Sequence, residues 1–289
     1  MIKKILLAVI AAVTVLPLSA ATFQEVNNLI KTQKYEDAEK TCRELISEVK
    51  TDKDKFNAYM KLMHIMRRLN KNAELIKDAD TFLADCKNDL HAADLLIYKG
   101  IGQRYIKQNA EALATFKLAV DKAKDGYAAR EAAFYFCEAA AGMRKYAEAQ
   151  EMYQRAKNFK GADKDARLML SGAFAYWYNN KFDEAWEILE QAAKIEKLSL
   201  THQETILRYR GNIMYYTKKY EEAVKYFDEA LKLKISSYCL GRINFFKAQS
   251  LEKLNRKEEA VAAYKAALEY KGDAYFKRVS QQAVQKLSK

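Results

Sequence analysis

Residues 219–233 read KYEEAVKYFDEALKL, and this stretch decides the fold. Its apolar residues recur every three or four positions, at Tyr220, Ala223, Val224, Phe227, Ala230 and Leu231. That spacing lines one face of an α-helix and leaves the glutamates and lysines on the other. The two alanines allow a neighbouring helix to approach closely, and the aromatic rings fill the space beside them. The stretch predicts an amphipathic helix that must pack against another helix.

The same pattern recurs along the chain. Its first alanine marks six copies, at Ala38, Ala112, Ala149, Ala185, Ala223 and Ala260. The last five are 36 to 38 residues apart, and the first gap of 74 is two periods of 37, which predicts a degenerate copy around Leu75. A second amphipathic stretch precedes each copy. A fixed period of two helices is typical of a stacked repeat array, in which each unit buries its apolar side against the next.

These motifs carry a resemblance to the tetratricopeptide repeat family, whose second helix has the form Tyr-x-x-Ala-x-x-x-Phe-x-x-Ala. Six matching motifs begin at Tyr35, Asn109, Tyr146, Phe182, Tyr220 and Lys257, and a degenerate one begins at Asn72. The period is nearer 37 than the usual 34 or so, and the closing proline is missing. The resemblance implies an all-α fold, a right-handed α-solenoid of about seven helix-turn-helix repeats over residues 22–272.

Residues 273–289 follow the last repeat. One side of this segment carries Phe276, Val279, Ala283 and Leu287, and its other positions are mostly polar. A repeat array exposes an apolar surface at its end, which a helix of this type can cover. The sequence predicts a C-terminal capping helix.

Residues 1–21 have the layout of a secretory signal peptide. Lys3 and Lys4 precede an uncharged apolar run, and Pro17 and three small residues follow it. We expect cleavage just before Thr22 and export of the mature protein, either to a periplasm or out of the cell. The alternative is an uncleaved membrane anchor, since the 19 residues 5–23 carry no charge.

The composition limits the classes of partner. The net charge is +12, but lysines are spread through every repeat among 38 acidic residues, so nucleic acid is not an expected partner. The mature chain has no proline and no glycine-serine linker, which favours one continuous helical array.

The sequence lacks a recognisable catalytic or metal-binding motif. The four cysteines form no C-x-x-C pair, and Cys42 and Cys137 occupy predicted core positions, so neither zinc nor a disulfide is expected. The three histidines are far apart, and no nucleophile lies in a catalytic arrangement. We expect a protein that is not an enzyme and that has no cofactor and no metal.

The resemblance also implies a binding groove lined by the first helix of each repeat. Applied to this sequence, it selects His64, Arg67, Arg68, Phe134, Glu138, Arg167, Leu170, Phe174, Trp177, Tyr178, Arg208, Asn212, Tyr215, Tyr216, Arg242, Phe245 and Gln249. Aromatic and arginine side chains supply much of the energy of protein interfaces. The alternative for the aromatic residues is burial in the core, which we expect for Tyr176 and, between repeats, for Trp186.

Thr201 and Glu204 have the spacing of a capping box at a helix start.

Three functions are consistent with these patterns. The first is a non-catalytic exported scaffold that holds a peptide segment of an envelope protein in the groove. The second is a structural or assembly subunit of an envelope complex, which uses its ends or its convex face. The third, an enzyme or a carbohydrate-binding module, requires a site that the motifs do not supply.

Overall fold

The computed structural model describes residues 21–233, 237–270 and 274–288. These residues form fifteen α-helices and one short 3-10 turn, and they contain no strand. The predicted all-α fold is confirmed. Residues 1–20, which hold all of the predicted signal peptide except Ala21, lie outside the described residues. Within the described part of the chain, no helix combines the length and the apolar character needed to cross a bilayer.

The helices follow each other in seven pairs and one single helix. The first helices are α1 (Phe23–Lys31), α3 (Asp52–Arg68), α5 (Asp89–Tyr105), α7 (Gly126–Gly142), α9 (Ala166–Tyr178), α11 (Leu200–Tyr216) and α13 (Ser237–Lys253). The second helices are α2 (Tyr35–Glu48), α4 (Asn72–Asp85), α6 (Asn109–Ala123), α8 (Tyr146–Ala156), α10 (Phe182–Ala192), α12 (Tyr220–Lys232) and α14 (Lys257–Glu269), and α15 (Ala274–Leu287) follows them. Every second helix begins at the first residue of its predicted motif, including the degenerate α4.

The turn inside each pair has one recurring geometry. Two residues before each second helix, the backbone is left-handed, with φ between 56° and 65° at Gln33, Asn70, Lys107, Arg144, Asn180, Lys218 and Asn255. The next N–H then donates to a carbonyl five residues back, as Lys219 does to Met214 at 2.8 Å. This bond is the Schellman ending of a helix, which glycine usually provides. Here the repeats form it without glycine.

The chain divides into two compact units, up to Lys71 and from Asn72 onward. In the first unit α1, α2 and α3 pack together and bury Val26, Ala38 and Cys42 completely. Glu39 accepts hydrogen bonds from Arg43 at 3.0 Å and from Lys71 at 2.8 Å. Burial acts to raise the pKa of Glu39, but the two cations hold it below its ordinary value.

In the second unit each helix from α4 to α15 contacts the next one in order. First helices also contact each other, from α5 with α7 through to α13 with α15, whereas contacts between consecutive second helices are slight or absent in the described residues. The first helices therefore form the inner, more closely spaced layer. We call the inner side of α5, α7, α9, α11 and α13 the first-helix face.

In two of the pairs, a glycine of the first helix lies directly against a buried ring of the second helix. A Cβ at Gly100 would lie 2.5 Å from the ring of Phe116, and one at Gly211 would lie 2.5 Å from the ring of Phe227. Both rings are fully buried. Only glycine permits this approach without moving the ring, so first and second helices pack closely at the same position of both pairs.

The predicted capping helix is α15. Phe276, Val279, Ala283 and Leu287 pack against the buried cluster of α12, α13 and α14. Most of its remaining positions are exposed or partly exposed, although Ser280 is buried. The helix thus covers the apolar end of the second unit.

Candidate binding face

Aromatic rings form a continuous chain across the second half of the first-helix face. Phe174 and Trp177 of α9 each lie 4.4 Å from Tyr178, measured between ring centroids. Trp177 lies 5.8 Å from both Tyr209 and Tyr216 of α11. The rings are edge-on, tilted or stacked, which are the favoured geometries for aromatic pairs. We call this set the aromatic chain.

The aromatic chain continues to the C-terminal helix. Tyr215 of α11 lies 5.9 Å from Phe246 of α13, and Phe245 lies 4.8 Å from Phe276 of α15. Four helices that are distant in sequence therefore meet at one aromatic surface. The sequence motifs gave no indication that α15 takes part in it.

The structure separates the predicted groove residues into buried and exposed ones. Tyr178 and Tyr216 are exposed, at 41% and 49% of their full surface. Phe134, Phe174 and Tyr215 are partly exposed.

Four predicted groove residues are not available at the surface. Trp177, Asn212 and Phe245 are exposed by only 6%, 0% and 2%, and Leu170 by 7%, so these four are corrected to interior positions. The rings of the neighbouring helices cover Trp177 and Phe245. The expected burial of Tyr176 is confirmed, and Trp186 packs 5.8 Å from Tyr226 of the next second helix.

Two of the predicted arginines are already paired. Arg167 of α9 forms two hydrogen bonds to the carboxylate of Glu131 and lies 4.9 Å above the ring of Phe134. The hydrogen bonds to Glu131 raise the pKa of Arg167. Arg208 of α11 donates to Glu204 at 2.6 Å, and Glu204 is fully buried. The predicted capping box of Thr201 and Glu204 is wrong. The N-cap of α11 is Ser199, whose hydroxyl oxygen accepts a hydrogen bond from the backbone N–H of His202.

Arg242 of α13 differs from these two arginines. Its guanidinium lies 5.6 Å from the ring of Phe276, and no carboxylate of the described residues pairs with it. Its Nε is buried without a hydrogen-bond partner in the described chain. A buried donor without a partner is costly, so this position favours an incoming acceptor.

A cavity of about 440 Å³ lies beside Arg242. Its walls include Tyr178, Tyr216, Arg242, Gln249, Tyr275 and Phe276, which come from α9, α11, α13 and α15. Tyr275 is 55% exposed and was not among the predicted residues. Aromatic rings make up most of its walls, and Arg242, Gln249, Asn180 and the tyrosine side chains supply polar groups.

The first half of the first-helix face carries the carboxyl groups of Asp94 and Glu138, and we call it the acidic half. Burial raises the pKa of Asp94 on α5, and His91 and Glu131 act on it in opposite directions. Glu138 on α7 is exposed at the surface. Neighbouring protein still removes part of the water around its carboxyl group, which raises its pKa, and the charge of Arg104 acts to lower it. Seven of the seventeen residues of α7 are alanines.

The remaining predicted residues lie in the first unit. Arg67 and Arg68 are exposed in the last turn of α3. Burial, followed by these two arginines, lowers the pKa of His64. The end of α3 therefore presents two exposed arginines.

Within the described residues, no group of three or more His, Cys, Asp or Glu side chains could hold a metal ion. Cys42 and Cys137 are buried as predicted, and burial raises their thiol pKa values to about 11 and about 12. Buried thiols with raised pKa values are poorly reactive.

Comparisons with known proteins support this assignment of the fold. Models of the tetratricopeptide repeat match residues 205–235 and 241–273. A search of the curated proteins found no significant match.

Solved structures resemble most of the chain. A tetratricopeptide repeat protein from Parabacteroides merdae has a TM-score of 0.60 at 13% identity and covers 92% of this chain and 97% of its own. The C-terminal part of a repeat protein from Cytophaga hutchinsonii has a TM-score of 0.60 at 16% identity, with coverages of 86% and 95%. PilF from Pseudomonas aeruginosa has a TM-score of 0.55 at 16% identity, with coverages of 70% and 90%. Such low identities relate the folds alone, so the conclusion is that this chain contains tetratricopeptide repeats and folds as a helical repeat protein.

Proposed function

We propose that this protein is an exported, non-catalytic scaffold that holds a peptide segment of an envelope protein against the first-helix face. The observation that carries the proposal is the aromatic chain, which presents Tyr178 and Tyr216 to solvent beside the unpaired Arg242. Tyrosine and arginine contribute disproportionately to protein interfaces. Tetratricopeptide repeats generally bind protein partners, and the signal-peptide pattern of residues 1–21 supports export.

Affinity purification from the native cell tests the binding face. The bait is the full chain, and the comparison variant is Tyr178→Ala/Tyr216→Ala. Because both side chains are exposed, at 41% and 49% of their full surface, we expect the fold to persist and the partner captured by the wild type to be lost. An unchanged set of partners would reject the first-helix face as the binding surface.

Export has a separate test. The protein recovered from fractionated cells should lie outside the cytoplasm and begin at Thr22. A chain that retains residues 1–21 in the membrane fraction would instead support the uncleaved anchor.

A second candidate function is assembly through the outer side of the second unit. A hollow of about 490 Å³ lies there between α6 and α8. Its lining includes the apolar side chains of Leu113, Phe136 and Met152 and the charged side chains of Lys117 and Glu151. The matched variant Lys117→Ala/Glu151→Ala removes two exposed side chains of this hollow. Loss of partners in this variant, with retention in the tyrosine variant, would favour assembly through the outer side.

A further inference from the structure

The cavity beside Arg242 has one cationic group and no anionic group to balance it. Arg167 and Arg208 pair with Glu131 and Glu204, which leaves Arg242 as the unpaired arginine of the three. Glu252, on the same helix, accepts a hydrogen bond from Tyr264 at 3.0 Å. A carboxylate entering the cavity would therefore meet a cation that no described residue neutralises.

The surroundings of Arg242 favour a strong ion pair. Its guanidinium lies 5.6 Å from the centre of the Phe276 ring, which helps hold the side chain in place, and its Nε is already withdrawn from water. An ion pair formed where water is excluded is stronger than one on the open surface. Forked hydrogen bonds from arginine also match the geometry of a carboxylate.

The surroundings of Arg242 indicate what accompanies the carboxylate. The exposed residues Tyr178 of α9, Tyr216 of α11 and Tyr275 of α15 all line the cavity. A peptide that crosses the cavity would pack apolar side chains on these rings while Gln249 and Asn180 offer hydrogen bonds to its backbone. A segment that contacts rings of α9, α11 and α15 must extend beyond the residue that meets Arg242, so we place the carboxylate on an internal residue.

We propose that the cavity between α9, α11, α13 and α15 binds an aspartate or glutamate side chain, flanked by apolar residues, of an extended partner segment. This inference rests on the proposed function and names the partner chemistry. The C-terminal helix is then a wall of the binding site as well as a cap, because it contributes Tyr275 and Phe276.

Selection from a random peptide library displayed on phage tests the inference. The bait is the chain from residue 22 to residue 289, and the peptides are joined to the phage at their C-termini so that they present no free carboxylate there. We expect enrichment of peptides with an acidic residue beside an aromatic or aliphatic one. Enrichment of neutral or basic peptides, or no enrichment, would overturn the inference.

Fluorescence anisotropy with one synthesised, C-terminally amidated peptide then locates the contact. Replacing its acidic residue with the corresponding amide should weaken binding about tenfold or more, the effect of losing a hydrogen bond between charged groups. Arg242→Gln should weaken binding by the same factor, and combining both changes should weaken it no further. Arg242→Met, which retains packing against Phe276, should behave like Arg242→Gln.

Arg155→Gln is the matched control, because Arg155 pairs with Asp121 on the second helices, away from the cavity. It should leave peptide affinity unchanged. If Tyr178→Ala/Tyr216→Ala weakens peptide binding but Arg242→Gln and Arg242→Met do not, the inference is wrong and the proposed function stands. If none of these variants weakens it, the inference is wrong and the peptide gives the proposed binding face no support.

Discussion

The two halves of the first-helix face differ in chemistry but share one helical scaffold. Glu138 of α7 and Phe174 of α9 occupy the same repeat position, eight residues before the start of the following second helix. The position is therefore acidic in α7 and aromatic in α9. The contacts beneath the face do not differ in this way, since Gly100 meets Phe116 in the acidic half as Gly211 meets Phe227 in the aromatic half. The comparison teaches that buried positions define the repeat and that exposed positions of the first helices give each half its own binding character.

The largest expected effect tests the shared scaffold. Phe116→Ala and Phe227→Ala each remove a fully buried ring at the same position of their pairs. Each should lower the free energy of unfolding by about 3–5 kcal/mol, since truncating a buried phenylalanine leaves a cavity. Urea unfolding followed by circular dichroism measures the change. Tyr105→Ala is the control, with an expected loss below about 1 kcal/mol, because Tyr105 is 62% exposed. Clearly unequal losses at the two phenylalanines would break the comparison.

The second-largest expected loss of stability concerns a buried ion pair in the aromatic half. Arg208→Gln leaves the fully buried Glu204 without its cation. We expect a loss of about 3 kcal/mol in the free energy of unfolding, because an unpaired buried charge is strongly unfavourable. Arg155→Gln removes an exposed ion pair with Asp121 and should cost less than about 1 kcal/mol. Similar small losses for both variants, measured by urea unfolding, would show that Glu204 does not depend on Arg208.

Gly100→Ala and Gly211→Ala return to the scaffold with a smaller change. The added methyl group must displace a buried ring in both halves, which typically costs about 1–3 kcal/mol. Gly142→Ala meets no atom within 4 Å and should instead stabilise helix α7 by up to about 1 kcal/mol. Thermal melting of the three variants gives the signs. A gain in stability at Gly100 or Gly211 would mean that the ring there moves freely.

The scaffold was more predictable from the sequence than the face. The start of every second helix was predictable because alanine and aromatic spacing is a local signal. Exposure on the first helices was not, since adjacent residues such as Trp177 and Tyr178 point 100° apart and the rings of α11 determine which one is covered. The contribution of Tyr275 depends on contacts between helices distant in sequence. One signal was present but missed, because Glu204 and Arg208 have the four-residue spacing of a helical ion pair.

The smallest expected effect concerns the acidic half and depends on pH. Burial raises the pKa of Asp94, so the folded state binds this proton more tightly than the unfolded state does. Stability contributed by the protonated carboxyl is complete below the ordinary pKa of 3.8 and is lost as the pH rises through the raised folded value. Asp94→Asn has no proton to lose, and it should exceed the wild type in stability at pH 7 by roughly 0.5 kcal/mol and lose that advantage in acid.

Glu39→Gln in the first unit provides a control of opposite sign. Arg43 and Lys71 hold the pKa of Glu39 low, so its carboxylate stabilises the folded state at neutral pH and loses that contribution as the pH falls through the lowered value. Urea unfolding at several pH values should therefore show Asp94→Asn gaining on the wild type, and Glu39→Gln falling behind it, as the pH rises. If the stability difference between Asp94→Asn and the wild type does not change with pH, Asp94 is as well solvated as a residue on an open surface. The contrast with the aromatic half would then rest on side-chain shape and not on charge.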